Sequence, residues 1–146
     1  MKDPSHYACY LGQGGLGLPY RDYDLKSDFA TQKAAYQTYV ATLLRLVNWP
    51  DAEARAKDVV DLETKFAQAS WPKAQQRDPI ATYNPMTVAE LTKFAPGFPW
   101  SDFLAAAKME NLPKVIVAEK CAFPQLTEVD HYAPLEKVRA WQAFHC

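Results

Sequence analysis

The stretch Gly12-Gln13-Gly14-Gly15-Leu16-Gly17-Leu18-Pro19-Tyr20-Arg21-Asp22-Tyr23-Asp24 holds four of the five glycines in a chain of 146 residues. It parts a short aromatic segment, His6-Tyr7-Ala8-Cys9-Tyr10-Leu11, from a long run of helical pattern. Gly12, Gly14 and Gly17 satisfy G-x-G-x-x-G. That fingerprint binds a pyrophosphate only where a strand feeds directly into a helix whose N-terminal amides face the ligand. Here Pro19 follows two residues after the last glycine, the next helical pattern begins near Ser27, and no strand–helix–strand alternation follows. The glycines read instead as a close-packed bend that needs positive φ or has no room for a Cβ.

Working outward, residues 1–11 read as an extended lead-in, 12–26 as a glycine–proline loop and 27–146 as a helical body, all in one domain. Arg21, Asp22 and Asp24 form a charged trio that suits local hydrogen bonds and caps in a loop. Tyr36, Tyr39, Val40, Leu43, Leu44 and Val47 recur every three or four residues, which predicts a helix from Ser27 or Asp28 to Asn48. Trp49-Pro50 stops it. Asp51 is placed to cap a second helix striped by Ala52, Ala56, Val59, Val60, Leu62, Phe66 and Ala67. So short a connection predicts an antiparallel hairpin. On the second helix Asp58, Asp61 and Glu63 suggest metal ligands or paired carboxylates. Asp61 and Glu63 are two apart and face differently, so a solvated face is the reading adopted.

Residues 70–86 read as a loop rich in proline. Thr87 and Glu90 then form a T-x-x-E capping box, with Met86 and Leu91 spaced as a hydrophobic staple, so a helix is expected over 88–94. Pro96-Gly97 ends it. Trp100, bounded by prolines, reads as a core anchor ahead of a helix near 102–109. Val115-Ile116-Val117 predicts a short extended crossing within 114–118. Pro124 opens a short helix over 125–129, and Pro134 starts a last one whose apolar side is Leu135, Val138, Trp141, Ala143 and Phe144. That helix meets the end of the sequence in mid-pattern, as a chain cut from something longer would. The fold class expected is all-α: a helical hairpin plus shorter helices, with at most a short extended segment near the N-terminus and another around 114–118.

Composition narrows the functional classes. Apolar residues are 49% of the chain and the net charge is −1, from sixteen basic and seventeen acidic side chains. That composition suits a packed core. It supplies no basic surface for nucleic acid or an anionic membrane. No apolar run is long enough to span a bilayer, and the first six residues are polar with no signal-peptide core. Cys9, Cys121 and Cys146 include no C-x-x-C pair, and an odd count leaves at least one thiol free in a monomer. Inert buried thiols are expected. Cys146 pairs with Cys9 if the chain ends meet, or links two chains. His6, His131, His145 and Cys146 have the right ligand types for a metal, but their scattered spacing favours surface histidines. An adjacent His145-Cys146 nucleophilic pair would sit at a fraying end where its geometry is poorly held.

Gly14-Gly15-Leu16-Gly17-Leu18-Pro19 followed by Arg21-Asp22-Tyr23 resembles the G-LGLP-RDYY segment of neprilysin-like zinc endopeptidases. Similar pieces follow in family order: Leu62-Glu63, Arg77-Asp78-Pro79, Tyr83-Asn84-Pro85-Met86-Thr87, Phe98-Pro99-Trp100, Pro134-Leu135-Glu136 and Arg139-Ala140-Trp141. Together they cover nearly the whole chain, with wording closest to bacterial members. This chain departs from the pattern at Asp24, where the family usually has a second tyrosine.

The resemblance implies a largely helical segment covering a catalytic domain and enclosing a cavity that admits peptides. It also implies a periplasmic or secreted setting. The family's catalysis uses an H-E-x-x-H helix, a further glutamate ligand and zinc. No histidine here is followed by glutamate, so no residue is assigned as catalytic, cofactor-binding or metal-ligating. Zinc belongs to the parent family and not to this chain. The role expected is a non-catalytic covering segment of an oligopeptide-hydrolysing peptidase. Its partner would be the catalytic domain. The alternative is a stand-alone module that self-associates through an exposed apolar face or binds a protein or peptide.

Overall fold

The computed structural model describes residues 7–145. The chain enters on a two-residue strand, β1 (Tyr10–Leu11), then the glycine bend and a single-turn helix, α1 (Arg21–Leu25). A 3-10 turn over Ser27–Phe29 runs into the long α2 (Ala30–Leu46), and α3 (Ala52–Ala69) returns beside it. Then follow α4 (Lys73–Gln76), β2 (Asn84–Met86), α5 (Val88–Phe94), α6 (Trp100–Ala106) and β3 (Val115–Val117). A second 3-10 turn, Lys120–Ala122, leads into α7 (Phe123–Tyr132) and α8 (Leu135–His145). The molecule is mainly α, as the periodicity predicts.

The hairpin is real, and its stop signals differ from those expected. Asn48 takes a left-handed φ of 53° while the Trp49 amide reaches back to the Leu44 carbonyl at 2.9 Å. This is a left-handed helix terminus, which asparagine tolerates better than most residues. Asp51 does precede α3, but it is left-handed at φ 54° and its side chain makes no cap bond. The buried stripe of α2 is Tyr36, Val40, Ala41 and Leu44, while Tyr39 and Val47 are exposed. Those four pack on Ala52, Ala56, Val59 and Val60 of α3 and on Ala140 of α8 to form one core. In α8 the deeply buried residue is therefore Ala140, and Leu135 lies outside.

A second core gathers Met86, Leu91, Ala95, Trp100, Leu104, Val115, Val117 and Phe123. Its centre is β3, buried along its whole length. β3 pairs in parallel with β1 (Tyr10 opposite Ile116) and antiparallel with β2 (Met86 opposite Val115). The expected loop over 70–86 thus contains α4 and an edge strand. Pro85 is tolerated in β2 because an edge strand needs partners on one side only.

The Thr87–Glu90 capping box forms in full: the Glu90 amide donates to Thr87 Oγ1 and the Thr87 amide donates to the Glu90 carboxylate. Trp100 is a core anchor, 6% exposed, and its indole donates to the Ala95 carbonyl at 2.8 Å. Its helix starts at Trp100 and ends before 109. There Lys108 turns left-handed at φ 57°, and the Met109 amide closes on the Leu104 carbonyl. α7 is twice the length expected; its buried residues are Phe123, ahead of the proline, and Thr127.

Candidate functional site

Segments far apart in the sequence meet at a buried carboxylate on α3. Glu63 of α3 is fully buried. Its Oε1 accepts from the Tyr36 hydroxyl at 2.9 Å and pairs with His145 Nε2 at 2.8 Å. Its Oε2 accepts from the Gly17 amide at 3.2 Å. One carboxylate therefore joins α2, α3, α8 and the glycine bend. Burial, and then the Glu63 charge, hold the Tyr36 phenol above its ordinary range, so it remains a donor. The solvated-face reading of Glu63 is thus corrected. Val59, Val60, Phe66 and Ala67 stand three or four residues away and place it on the apolar stripe. A charged residue on such a stripe is stable only when paired and hydrogen-bonded. Asp58 behaves nearer to expectation, in an ion pair with Arg55 and Lys137. Asp61 pairs with Lys57 at 2.6 Å on the surface.

Asp24 also departs from its loop reading. It lies in α1, is 5% exposed, and neither carboxylate oxygen has a hydrogen-bond partner. Burial, reinforced by Glu63 and opposed by Lys33, pushes its carboxyl up to about 6. Of its neighbours only Asp22 makes the local contact expected, with Lys26, while Arg21 reaches 49 residues along the chain to donate to the Ser70 carbonyl at 2.6 Å.

The glycine bend spends its amides inside the protein. The Gln13 amide donates to Glu119 Oε2 at 2.9 Å, and the Gly17 amide to Glu63. Two carboxylates facing the bend would repel a phosphate, and the segment after it runs through Pro19 to a helix of five residues. Gly15 has φ 86°, and a Cβ there would press on the Trp141 ring at 2.9 Å. A Cβ on Gly17 would overlap the Tyr36 hydroxyl. The Gln13 side chain binds Trp71 on both backbone groups, donating to its carbonyl at 3.0 Å and accepting from its amide at 2.6 Å. Trp141 donates to the Gly15 carbonyl at 3.2 Å.

Two depressions flank the bend. A cleft of about 660 Å³ lies between residues 13–23 and 70–76, lined by Tyr20, Arg21, Trp71 and Lys73 among others. Lys73 Nζ stands 3.6 Å above the Tyr20 ring and lowers its phenol's pKa through hydrogen bonding and charge. On the other side, an apolar groove of about 200 Å³ opens between the two cores and is lined by Phe66, Phe98, Phe123 and Trp141. Trp100 contributes to its floor, so its anchoring role and a place in the groove coexist.

The remaining candidates do not converge. His131 is exposed on α7 with its Cβ near Gly97, and His145 is committed to Glu63. His145 is at the surface as expected, its side chain 28% exposed, but its Nε2 is held by the buried Glu63. His6 and Cys146 lie outside the described residues, and with them the pairings considered for Cys146. Cys9 is half-buried and Cys121 exposed, both free, so the expectation of buried thiols fails for Cys121. Among the described residues no three His, Cys, Asp or Glu side chains gather in a metal-holding group. The histidines described, on separate helices and turned to different neighbours, do not fit a zinc ligand set.

Comparison with known proteins defines the class. The family model described as peptidase family M13, N-terminal part, matches residues 1–146. The chain belongs to peptidase family M13, as its N-terminal portion. Human endothelin-converting enzyme 1 is 34% identical over 107 residues, 70% of this chain and 14% of that protein. Neprilysin-3 of Drosophila melanogaster is 34% identical over 106 residues, 69% of this chain and 13% of its own length. Among solved structures, Mycobacterium tuberculosis zinc metalloprotease Zmp1 in an open state matches with a TM-score of 0.85 and 27% identity. That match covers 90% of this chain and 21% of the mycobacterial one. The same protein in complex with an inhibitor gives a TM-score of 0.81 with the same identity and coverage. This chain therefore spans about one-seventh of the relatives' sequences and about one-fifth of the mycobacterial structure.

Proposed function

We propose that this chain is a non-catalytic, helical covering segment of a zinc metallopeptidase that hydrolyses oligopeptides. The observation that carries the reading is the agreement in backbone, at a TM-score of 0.85, with about one-fifth of a much longer zinc metalloprotease. The chain's own chemistry agrees with it. Tyr36, Gly17 and His145 are each bound to Glu63, which suits a rigid support. Zinc, where the parent enzyme binds it, would supply Lewis acidity and an activated water. This segment contributes shape and exclusion. The partner on this reading is the catalytic domain, and the setting is periplasmic or secreted.

A chimera tests the reading: the matching segment of the mycobacterial metalloprotease is replaced by residues 7–145 of this chain. The expected result is retained, chelator-sensitive cleavage of short peptides, with the length of peptide accepted altered. A chimera that folds and binds zinc but cleaves no peptide of any length would contradict it.

The aromatic groove supports a second reading, a stand-alone binding module. Phe66, Phe98, Phe123 and Trp141 present ring surface of the kind that anchors protein or peptide partners. Concentration-dependent sedimentation of the purified chain, abolished by Phe98→Ser, would favour this reading over the first.

A further inference from the structure

We propose that Asp24, buried beside Glu63, is a proton-operated catch: a proton on the Asp24 carboxyl seats α1 and the glycine bend on α3, and its loss loosens the wall of the cleft. This inference stands apart from the covering role and needs no catalytic partner.

Asp24 is almost wholly buried, and both its oxygens are unpartnered. The groups facing it are already engaged. From α2, Lys33 Nζ donates to the Asp24 backbone carbonyl at 2.9 Å and to Thr64 Oγ1 at 2.7 Å, so two of its three hydrogens serve neutral acceptors and its charge only partly offsets a charge on Asp24. Tyr36, also on α2, gives its single hydrogen to Glu63. From α3 comes Glu63, a second carboxylate, and beyond it His145 from α8. On α1 itself, Arg21 is turned to Ser70 and Asp22 to Lys26. An ionised Asp24 would be a desolvated charge whose oxygens make no hydrogen bond, close to another carboxylate and only partly offset by Lys33, which is costly in a protein interior. A protonated Asp24 removes that charge and keeps the packing.

The position gives the proton a mechanical consequence. α1 has two sides. Arg21, Asp22 and Tyr23 line the cleft, whereas Asp24 is buried against α2 and α3. Glu63 also holds the Gly17 amide, so the acid pair grips both ends of the segment from Gly17 to Leu25. That segment, with Trp71 and Lys73 opposite, makes the cleft. Charging Asp24 therefore strains the one side of the cleft that a single helical turn supports.

The experiment uses the full chain labelled with carbon-13 and nitrogen-15. Carboxyl carbon shifts are followed from pH 4 to 8, with the Asp24 resonance identified by its loss in Asp24→Asn. Amide protection is measured at Gly17 and Lys26 over the same range, corrected for intrinsic exchange, with Leu91 and Ala95 of α5 as distant controls. The expected result is an Asp24 transition near 6. Protection at Gly17 and Lys26 should fall about tenfold or more across it. Leu91 and Ala95 should not follow. Asp24→Asn, which carries no charge at any pH, should hold its protection level. An Asp24 transition below 5 in the wild-type chain overturns the proposal, whatever the variant does. So does unchanged protection at Gly17 and Lys26, or an equal loss at Leu91 and Ala95, which would mean global rather than local loosening.

Discussion

The indole nitrogen of Trp141 donates to the carbonyl oxygen of Gly15 at 3.2 Å, joining residues 126 positions apart. The glycine bend is thereby fixed against the last helix as well as against α3. Its left-handed Gly15 lies beneath the same ring, so neither partner can be enlarged. Trp141→Phe keeps most of the ring and removes the donor. Leaving the Gly15 carbonyl unpaired is expected to cost about 1 kcal/mol in urea unfolding.

Gly17 is the most constrained position in the bend, because a Cβ there meets the Tyr36 hydroxyl. Gly17→Ala must push Tyr36 off Glu63 or shift the backbone. A loss of roughly 2–3 kcal/mol is expected from overpacking and the disturbed hydrogen bond together. Gly14→Ala meets nothing within 4 Å and serves as the control. Equal effects at the two positions in denaturant unfolding would refute the close-packing account.

Glu63 binds three groups, so truncation strands all of them. Glu63→Ala is expected to cost about 3 kcal/mol or more, the range for removing one member of a buried charged network. Glu63→Gln should cost less, since its amide oxygen still accepts from Tyr36 or Gly17. If differential scanning calorimetry ranked Gln below Ala, the hydrogen-bond account of this residue would be wrong.

Asp24 has the opposite sign. Its carboxyl is raised from 3.8 to about 6 in the folded chain. Between those values the folded state binds more protons than the unfolded, so stability falls as pH rises, and the loss is complete above the upper value. After allowance for solvent screening this corresponds to ~2 kcal/mol. Asp24→Asn should accordingly be more stable than the wild-type chain at pH 8 and nearly equal to it at pH 4. Melting temperatures at the two pH values make the comparison.

Thr87→Ala removes one half of the reciprocal cap on α5, and about 1 kcal/mol should go with it. This cap was legible in the sequence because all its determinants lie within six residues, Met86 to Leu91. The hairpin, the Gly15 and Gly17 close approaches and the Trp100 anchor were legible for similar local reasons. The sheet was half legible. The β-branched run at 115–117 announced β3, but Asn84-Pro85-Met86 has no strand pattern of its own and is extended because β3 pairs with it.

The carboxylate hub was misread for a different reason. The two-residue spacing of Asp61 and Glu63 argues against a shared ligand site but not for solvent, and Val59, Val60, Phe66 and Ala67 place Glu63 on the buried stripe. Its partners Gly17, Tyr36 and His145 lie between 27 and 82 residues away, and no local pattern announces them. Asp24 carried still less signal, because a single helical turn offers no periodicity to read.

On the proposed covering role, this member of peptidase family M13 would supply structure to a reaction whose chemistry resides elsewhere in a longer enzyme. The most direct test is cleavage of a quenched fluorescent peptide library by the purified chain with added zinc, repeated with a chelator. The account predicts no chelator-sensitive cleavage. Cleavage that follows the chain through purification and disappears with the chelator would contradict it, and would direct substitution first to His6, His131, His145 and Cys146.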